Sequence, residues 1–225
     1  MKLIVESHPV SIAVSGGLIE GDLSVPLDSR ATVLFAHGSG SSRYSPRNKY
    51  VARILNASGV STLLLDLLTN HEEFEDRQTA HLRFDIGLLA DRLVTATDWV
   101  SSRSSPETRH IGFFGASTGA AAALVAATRR PKIIEAVVSR GGRPDLAGSV
   151  LSAVRAPTLL IVGEYDETVI ELNRQAAAQL QAEHKLEIVP RAGHLFEEPG
   201  ALEQVAYLAR LWFEDHLLGK RANVA

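Results

Sequence analysis

The chain has no cysteine in its 225 residues, and this absence restricts its chemistry. Without cysteine it can form no disulfide, no thiolate nucleophile and no cysteine-ligated zinc site. Basic residues do not dominate, since the formal net charge is −3, so neither nucleic acid nor an anionic membrane is expected as a partner. No run approaches the roughly 20 apolar residues of a membrane span. Glu6 lies where a signal peptide would be apolar, which predicts a cytoplasmic protein.

The remaining composition is that of an ordinary globular protein, with 45% hydrophobic and 22% charged residues. A length of 225 residues suits one α/β domain and is ample for a hydrophobic core. We therefore expect a single domain over residues 1–225, in which residues 219–225 form a frayed tail.

The apolar pattern changes once along the chain, from alternation to continuous runs. Alternating segments at 10–14 and 18–25 flank a Gly-Gly pair and predict an N-terminal antiparallel hairpin. The continuous runs that follow are typical of parallel strands covered by helices on both faces. Strands are predicted at 31–36, 60–65, 111–114, 133–138, 158–162 and 186–189, and helices at 46–57, 81–100, 117–127, 169–182 and 201–218. This alternation predicts an α/β fold with a doubly wound, mostly parallel sheet.

The connection between the strands at 133–138 and 158–162 is short. It leaves room for one short helix near 145–153 and for no large cap domain. The acidic residues at 72–76 are expected to form a solvated loop. No pair of histidines has the short spacing of metal ligands, and residues 37–40 lack the third glycine of a dinucleotide-binding fingerprint, so no metal and no cofactor are expected.

Residues 115–119, Gly-Ala-Ser-Thr-Gly, predict a nucleophile elbow with Ser117 at its tip. They lie between an apolar strand and an alanine-rich helix, which is the setting in which a G-x-S-x-G turn presents a catalytic serine. Gly115 and Gly119 have no Cβ, so the chain can reverse direction closely while Ser117 takes a strained backbone conformation. The alternative is a glycine-rich turn with an ordinary solvated serine.

The partners of Ser117 are expected in loops that follow strands, because ligands of an open α/β sheet bind beyond the carboxyl ends of its strands. His194 follows the last strand and is the expected base. Asp166 follows the preceding strand and is expected to orient His194 and stabilise its imidazolium. The order Ser, Asp, His along the chain is that of a hydrolase triad. Glu164 and Glu167 are expected to be solvated instead.

Two backbone N–H groups are expected to stabilise a developing oxyanion. One is the N–H of Thr118, the residue after the nucleophile. The other is expected in His37-Gly38-Ser39-Gly40 after the first parallel strand, with the Ser39 N–H preferred and Gly38 as the fallback. A generic glycine–serine turn is the alternative for this second segment.

The motifs HGSG at 37–40, GASTG at 115–119, GEYD at 163–166 and AGH at 192–194 occur in this order. With them the chain resembles the α/β-hydrolase superfamily over nearly its whole length. The compact size and short crossover are most similar to the dienelactone-hydrolase-like branch. Dienelactone hydrolases proper use a cysteine nucleophile, whereas position 117 is serine here. The resemblance therefore implies an α/β-hydrolase fold and a serine hydrolase.

Several further side chains are expected at the same sheet edge as Ser117. Arginine can bind a carboxylate or phosphate with two hydrogen bonds, so Arg140 or Arg43 is a candidate to hold a small anionic ester or lactone. His37 is expected to support the oxyanion loop and is a third substrate-binding candidate. Arg43 and Arg47 lie in or near the oxyanion loop. The alternative is that Asp66 and an arginine form an ordinary ion pair that braces loops.

These residues predict a hydrolase of small carboxylic esters that works through an acyl-enzyme. Thioesterase, lactonase, amidase and acyltransferase activities use the same three residues and stay open. A non-catalytic binding protein on the same scaffold is the alternative from another class. The expected partner is a small-molecule ester, and the sequence leaves the oligomeric state open.

Overall fold

A computed structural model describes residues 5–105 and 110–219 of the chain. The strands in these residues are β1 (Val5–Val14), β2 (Gly17–Pro26), β3 (Ala31–Ala36), β4 (Val60–Leu65), β5 (His110–Ala116), β6 (Ile134–Arg140), β7 (Thr158–Gly163) and β8 (His184–Val189). They form one eight-stranded sheet in the order β1-β2-β4-β3-β5-β6-β7-β8. The predicted α/β fold with a mostly parallel sheet is confirmed.

The N-terminal hairpin is antiparallel, as predicted, and longer than the alternating residues alone indicated. β1 pairs with β2 along its whole length, and β2 pairs antiparallel with β4. All pairings from β4 through β3 to β8 are parallel. The carboxyl ends of the six parallel strands therefore meet at one edge of the sheet, where ligands of such sheets bind.

Helices cover both faces of this sheet. They are α1 (Pro46–Ala57), α2 (Asn70–Thr79), α3 (Ile86–Ser101), α4 (Thr118–Arg129), α5 (Glu167–Ala177) and α6 (Ala201–Leu218), with 3₁₀ segments at Leu82–Phe84 and Pro144–Ala153. The segment Pro144–Ala153 fills the β6–β7 connection, and no large cap domain interrupts the described residues. Gly219 ends α6 with φ 63°, and residues 220–225 of the predicted frayed tail lie outside the described residues. No helix in the described ranges is long and apolar enough to cross a bilayer.

The core has two layers because successive residues of each strand face opposite sides of the sheet. Leu34 and Phe113 pack in the layer that includes α3 and α4, whereas Phe35 and Phe114 pack in the layer with α1 and α6. All four side chains are buried. Continuous apolar runs such as 111–114 are explained by this burial on both faces.

The acidic segment predicted to be a solvated loop is helix α2, so that prediction is wrong. Thr69 and Glu72 form a capping box: the Glu72 N–H donates to Thr69 Oγ1 at 3.2 Å, and the Thr69 N–H donates to Glu72 Oε2 at 2.8 Å. Asp76 is only 2% exposed and accepts from Arg83 Nε at 2.5 Å. The spacing Thr-x-x-Glu was the available sequence signal, because it satisfies the first N–H groups of a helix. The predicted helix at 81–100 begins later, where the Asp85 side chain caps α3.

Candidate active site

Ser117 lies between β5 and α4 on a strained turn. Its φ of 49° and ψ of −121° are unusual for a residue with a side chain. The turn is held by its backbone, since the Ser117 N–H donates to the carbonyl of Arg140 at 3.2 Å. A Cβ on Gly115 would lie 2.4 Å from Ala120 Cα, and one on Gly119 would lie 2.3 Å from the carbonyl oxygen of Ala36. The chain therefore has the geometry predicted for a nucleophile elbow.

His194 and Asp166 meet across the ends of β8 and β7. His194 Nδ1 lies 2.6 Å from Asp166 Oδ2. The carboxylate accepts this hydrogen bond, so the proton belongs on Nδ1 and Nε2 is left to act as a base. Asp166 is the N-cap of α5, but its side chain makes no cap hydrogen bond and is used for His194 instead. The structure thus joins the predicted base to its predicted carboxylate.

The loop that carries His194 is held by two carboxylates, those of Glu164 and Glu198. Glu164 Oε2 accepts the Arg191 N–H at 2.6 Å, and Glu198 Oε1 accepts the Gly193 N–H at 3.0 Å. Glu164 is exposed, as expected of a solvated carboxylate, and it also holds this loop. Glu167 is exposed in the first turn of α5, where an acidic side chain suits the helix dipole.

Ser117 and His194 line one cavity of about 250 Å³ at the carboxyl edge of the sheet. No hydrogen bond joins Ser117 Oγ to His194 in the described part of the chain. Serine–histidine contacts of this kind are often long before a substrate binds. Gly141, with φ 50°, lies close to the His194 segment, because a Cβ there would lie 3.1 Å from the His194 carbonyl oxygen.

The predicted oxyanion residues come together beside Ser117. A Cβ on Gly38 would lie 3.0 Å from Ser117 Cβ, so this loop lies directly against the nucleophile. Thr118 is the first residue of α4, and its N–H has no carbonyl to bond within the helix. The Ser39 N–H, however, donates to Thr118 Oγ1 at 3.0 Å. The preferred second donor is therefore already bonded to a side chain, which the sequence did not indicate.

His37 supports the loop of Gly38 and Ser39 by hydrogen bonds to backbone groups, and its ring is not available to a substrate. Its Nδ1 lies 2.9 Å from the Gly38 carbonyl, to which it donates. Its Nε2 accepts the Leu67 N–H at 3.3 Å. Burial lowers the pKa of His37, which keeps the ring neutral. Both nitrogens are used internally, so the expectation that His37 binds substrate is corrected.

Arg43 is likewise committed to the fold. Its guanidinium pairs with Asp66, whose Oδ1 also accepts the Arg43 N–H at 2.8 Å. A second carboxylate, that of Asp22, lies 3.7 Å from Arg43 Nε. The ion pair that was the alternative for Asp66 is thus formed, and Arg43 does not line the cavity. Of the three substrate-binding candidates, only Arg140 lines the cavity with Ser117 and His194.

The family model described as the dienelactone hydrolase family matches residues 29–216. The chain belongs to the dienelactone hydrolase family. The crystal structure of dienelactone hydrolase from Anabaena variabilis is 59% identical in sequence, with a TM-score of 0.90 over 95% of this chain and 99% of that one. Est1E from Butyrivibrio proteoclasticus, only 15% identical, shares the fold with a TM-score of 0.77 over 93% of this chain and 99% of its own.

Two curated relatives of the chain are named for a different class of enzyme, a transferase. Both are Mycobacterium tuberculosis proteins named "Putative phosphoribosyl transferase", from the CDC 1551 and H37Rv strains, and both are 56% identical over 201 residues. The match covers 89% of this chain and 44% of each relative. The chain therefore spans less than half the length of the curated relatives it matches.

The described residues contain no group of three or more histidine, aspartate or glutamate side chains placed to hold a metal ion. The polar side chains around Ser117 are instead hydroxyls, one imidazole, one amide and two guanidinium groups. Such a set can transfer protons and bind anionic oxygen atoms, which are the requirements of acyl transfer.

The elbow predicts different costs for the same substitution at two glycines. Gly119 and Gly87 are both second residues of helices, α4 and α3. Gly119→Ala drives a Cβ into backbone at 2.3 Å and is expected to lower the free energy of unfolding by more than about 3 kcal/mol. The Cβ added by Gly87→Ala would meet only the Asp85 side chain, so this substitution is expected to change the free energy of unfolding by at most about 1 kcal/mol. Urea unfolding measures both, and equal effects would contradict the close-packed turn.

The neutral state of His37 predicts a dependence of stability on pH. Its pKa in the folded protein is below the ordinary 6.5, so the unfolded chain takes up a proton first as the pH falls through that value. The free energy of unfolding is expected to fall by up to about 1.4 kcal/mol per pH unit from this group alone. His37→Gln should remove that part of the slope below pH 6.5. Identical slopes for wild type and His37→Gln would contradict a neutral His37.

Proposed function

We propose that this chain is a serine hydrolase that cleaves small carboxylic esters through an acyl-enzyme. The observation that carries the proposal is the 2.6 Å hydrogen bond between His194 and Asp166 beside the strained Ser117. A base oriented by a carboxylate and facing a serine on an elbow is the arrangement that activates a hydroxyl nucleophile. Membership of the dienelactone hydrolase family supports the same chemistry.

The first half of the reaction forms a bond between Ser117 and the acyl group. Ser117 Oγ attacks the ester carbonyl carbon while His194 Nε2 removes the hydroxyl proton. Asp166 stays ionised and stabilises the imidazolium through the hydrogen bond to Nδ1. His194 then gives the proton to the departing alkoxide oxygen, and the carbon–oxygen bond of the ester breaks.

The second half regenerates the enzyme. His194 removes a proton from water, the resulting oxygen attacks the acyl carbon, and the carboxylic acid leaves as the proton returns to Ser117 Oγ. In both halves negative charge develops on the former carbonyl oxygen. The N–H of Thr118, at the positive end of the α4 dipole, is suited to bind that oxygen. Gly38 or Ser39 supplies the second donor, and Ser39 must exchange its bond to Thr118 Oγ1 to do so.

The size of the cavity favours small acyl groups. At about 250 Å³ it is below the roughly 300–1,000 Å³ of sites that enclose drug-sized ligands. Thioesters and lactones have the same reacting carbonyl and remain substrates to be compared with simple esters. The mycobacterial relatives are named for phosphoribosyl transfer, but more than half of each relative lies outside the match. Their name therefore does not support that activity for this chain.

Substitution of the nucleophile Ser117 or of the carboxylate Asp166 should distinguish a catalytic protein from one that only binds esters. Ser117→Ala is expected to abolish turnover of 4-nitrophenyl acetate, and Asp166→Asn to lower kcat by about 10³–10⁴, since the wrong tautomer of His194 is then favoured. Ser152→Ala, at an exposed serine remote in sequence, is the matched control and should retain activity.

A fluorophosphonate probe gives an independent measurement. Mass spectrometry should find the adduct on Ser117 in wild type and Ser152→Ala, and no adduct in Ser117→Ala. Turnover that survives Ser117→Ala unchanged, or a wild-type protein that takes up no probe, would overturn the proposed function and favour a binding protein.

A further inference from the structure

Arg140 carries a buried positive charge without an acceptor. It is the last residue of β6 and is 8% exposed. Its Nε and Nη1 are buried and have no hydrogen-bond partner within residues 5–105 and 110–219. Burial of a guanidinium in this state opposes folding unless some other group compensates it. A ligand with anionic oxygen atoms would supply that compensation.

Two other arginines, one buried and one partly buried, have carboxylate partners. Arg92, 4% exposed, lies 2.5 Å from Glu72 Oε1 and donates to the Ser15 carbonyl at 2.9 Å. Arg43 pairs with Asp66. Where an arginine serves the structure, the chain therefore provides a carboxylate. Arg140 has none, and it lines the same cavity as Ser117.

A second guanidinium lines the same cavity. Arg47, the second residue of α1, is close enough that it adds to burial in lowering the pKa of Arg140 to about 10. Arg47 Nη1 lies 3.1 Å from Glu197 Oε1, but that glutamate side chain is 67% exposed. No carboxylate is among the described residues that line the cavity. Two guanidinium groups thus lie at one cavity, and only Arg47 has a carboxylate partner, which is the exposed Glu197.

We propose that Arg140 and Arg47 form a subsite for a phosphate group of the substrate, next to Ser117. The proposal rests on the proposed function, which it narrows to phosphate-bearing esters and lactones. A phosphate monoester carries a charge of about −1.5 to −2 at pH 7 and offers three acceptor oxygens, so it can neutralise both guanidinium groups. A carboxylate offers one charge and two oxygens, so it provides fewer acceptors for the two guanidinium groups than a phosphate does.

The position of Arg140 ties the subsite to the reacting centre. Its Cα is paired with that of Ala116 across β5 and β6, and its carbonyl accepts the Ser117 N–H at 3.2 Å. Asn48 also lines this cavity, and its buried side-chain Oδ1 has no hydrogen-bond partner among the described residues. A substrate held by its phosphate would therefore have its carbonyl within reach of Ser117 only if the linker between them is short.

The subsite can be tested apart from catalysis, in a Ser117→Ala background that cannot turn over. Isothermal titration with inorganic phosphate at pH 7.5 is expected to detect binding, and the added Arg140→Met change is expected to weaken it about tenfold or more. Arg155→Met, at an exposed arginine, is the matched control and should leave it unchanged. Acetate is the second probe and should bind more weakly than phosphate.

Thermal unfolding covers the case in which Arg140→Met is poorly folded. Removal of an unpaired buried charge should leave Tm in phosphate-free buffer at or above that of wild type. Phosphate should raise Tm of wild type and of Arg155→Met, but not of Arg140→Met. Arg140→Lys keeps the charge without the two-pronged geometry and should restore part of the shift.

The outcomes distinguish failure of the phosphate subsite from failure of the proposed function. Equal phosphate binding in Arg140→Met and Arg155→Met, or acetate binding as tight as phosphate, would overturn the phosphate subsite. Ser117-dependent ester turnover that phosphate neither inhibits nor competes with would overturn the subsite and leave the proposed function standing. Arg140-dependent phosphate binding in a wild-type protein that turns over no ester would overturn the proposed function alone.

Discussion

The turn between β5 and α4 is the constraint on which the rest of the site depends. The chain must reverse within a few residues, and it does so because two glycines let backbone segments approach within distances that a Cβ would forbid. Ser117 is left with positive φ as a result. That strain is held by a large buried sheet on one side and by the alanine-rich start of α4 on the other. The nucleophile is held in position because its two neighbours along the chain, Ala116 and Thr118, are buried.

The remaining site residues reach this point on loops, and each loop has its own anchor. His37 fixes the segment of Gly38 and Ser39 to the loop after β4, and Glu164 and Glu198 fix the segment of His194. These anchors lie behind the reacting groups and do not touch the cavity themselves. Loops built this way can hold a hydrogen bond such as His194–Asp166 in place without a rigid helix or strand under each member.

The sequence was sufficient where the signal is local. Apolar runs and turn glycines predicted the sheet, the helices at 46–57 and 201–218, and the loops of Ser117, Asp166 and His194. The sequence was insufficient where a side chain could pair with several residues that are distant along the chain. Arg43 could pair with Asp66 or face the cavity, and only the meeting of the loops after β3 and β4 decides between them. Helix α2 was missed because its polar composition hid a capping signal.

The backbone hydrogen bond between Ser117 and residue 140 allows the cavity to change while the elbow stays the same. The elbow is held by the carbonyl of residue 140, whereas the cavity is lined by the side chain of the same residue. Carbonyl groups are common to all amino acids, so a replacement at this position alters what the cavity attracts and leaves the support of the nucleophile in place. Recognition and reactivity are thereby separated within a single residue, which lets one scaffold acquire a new preference in a single mutational step.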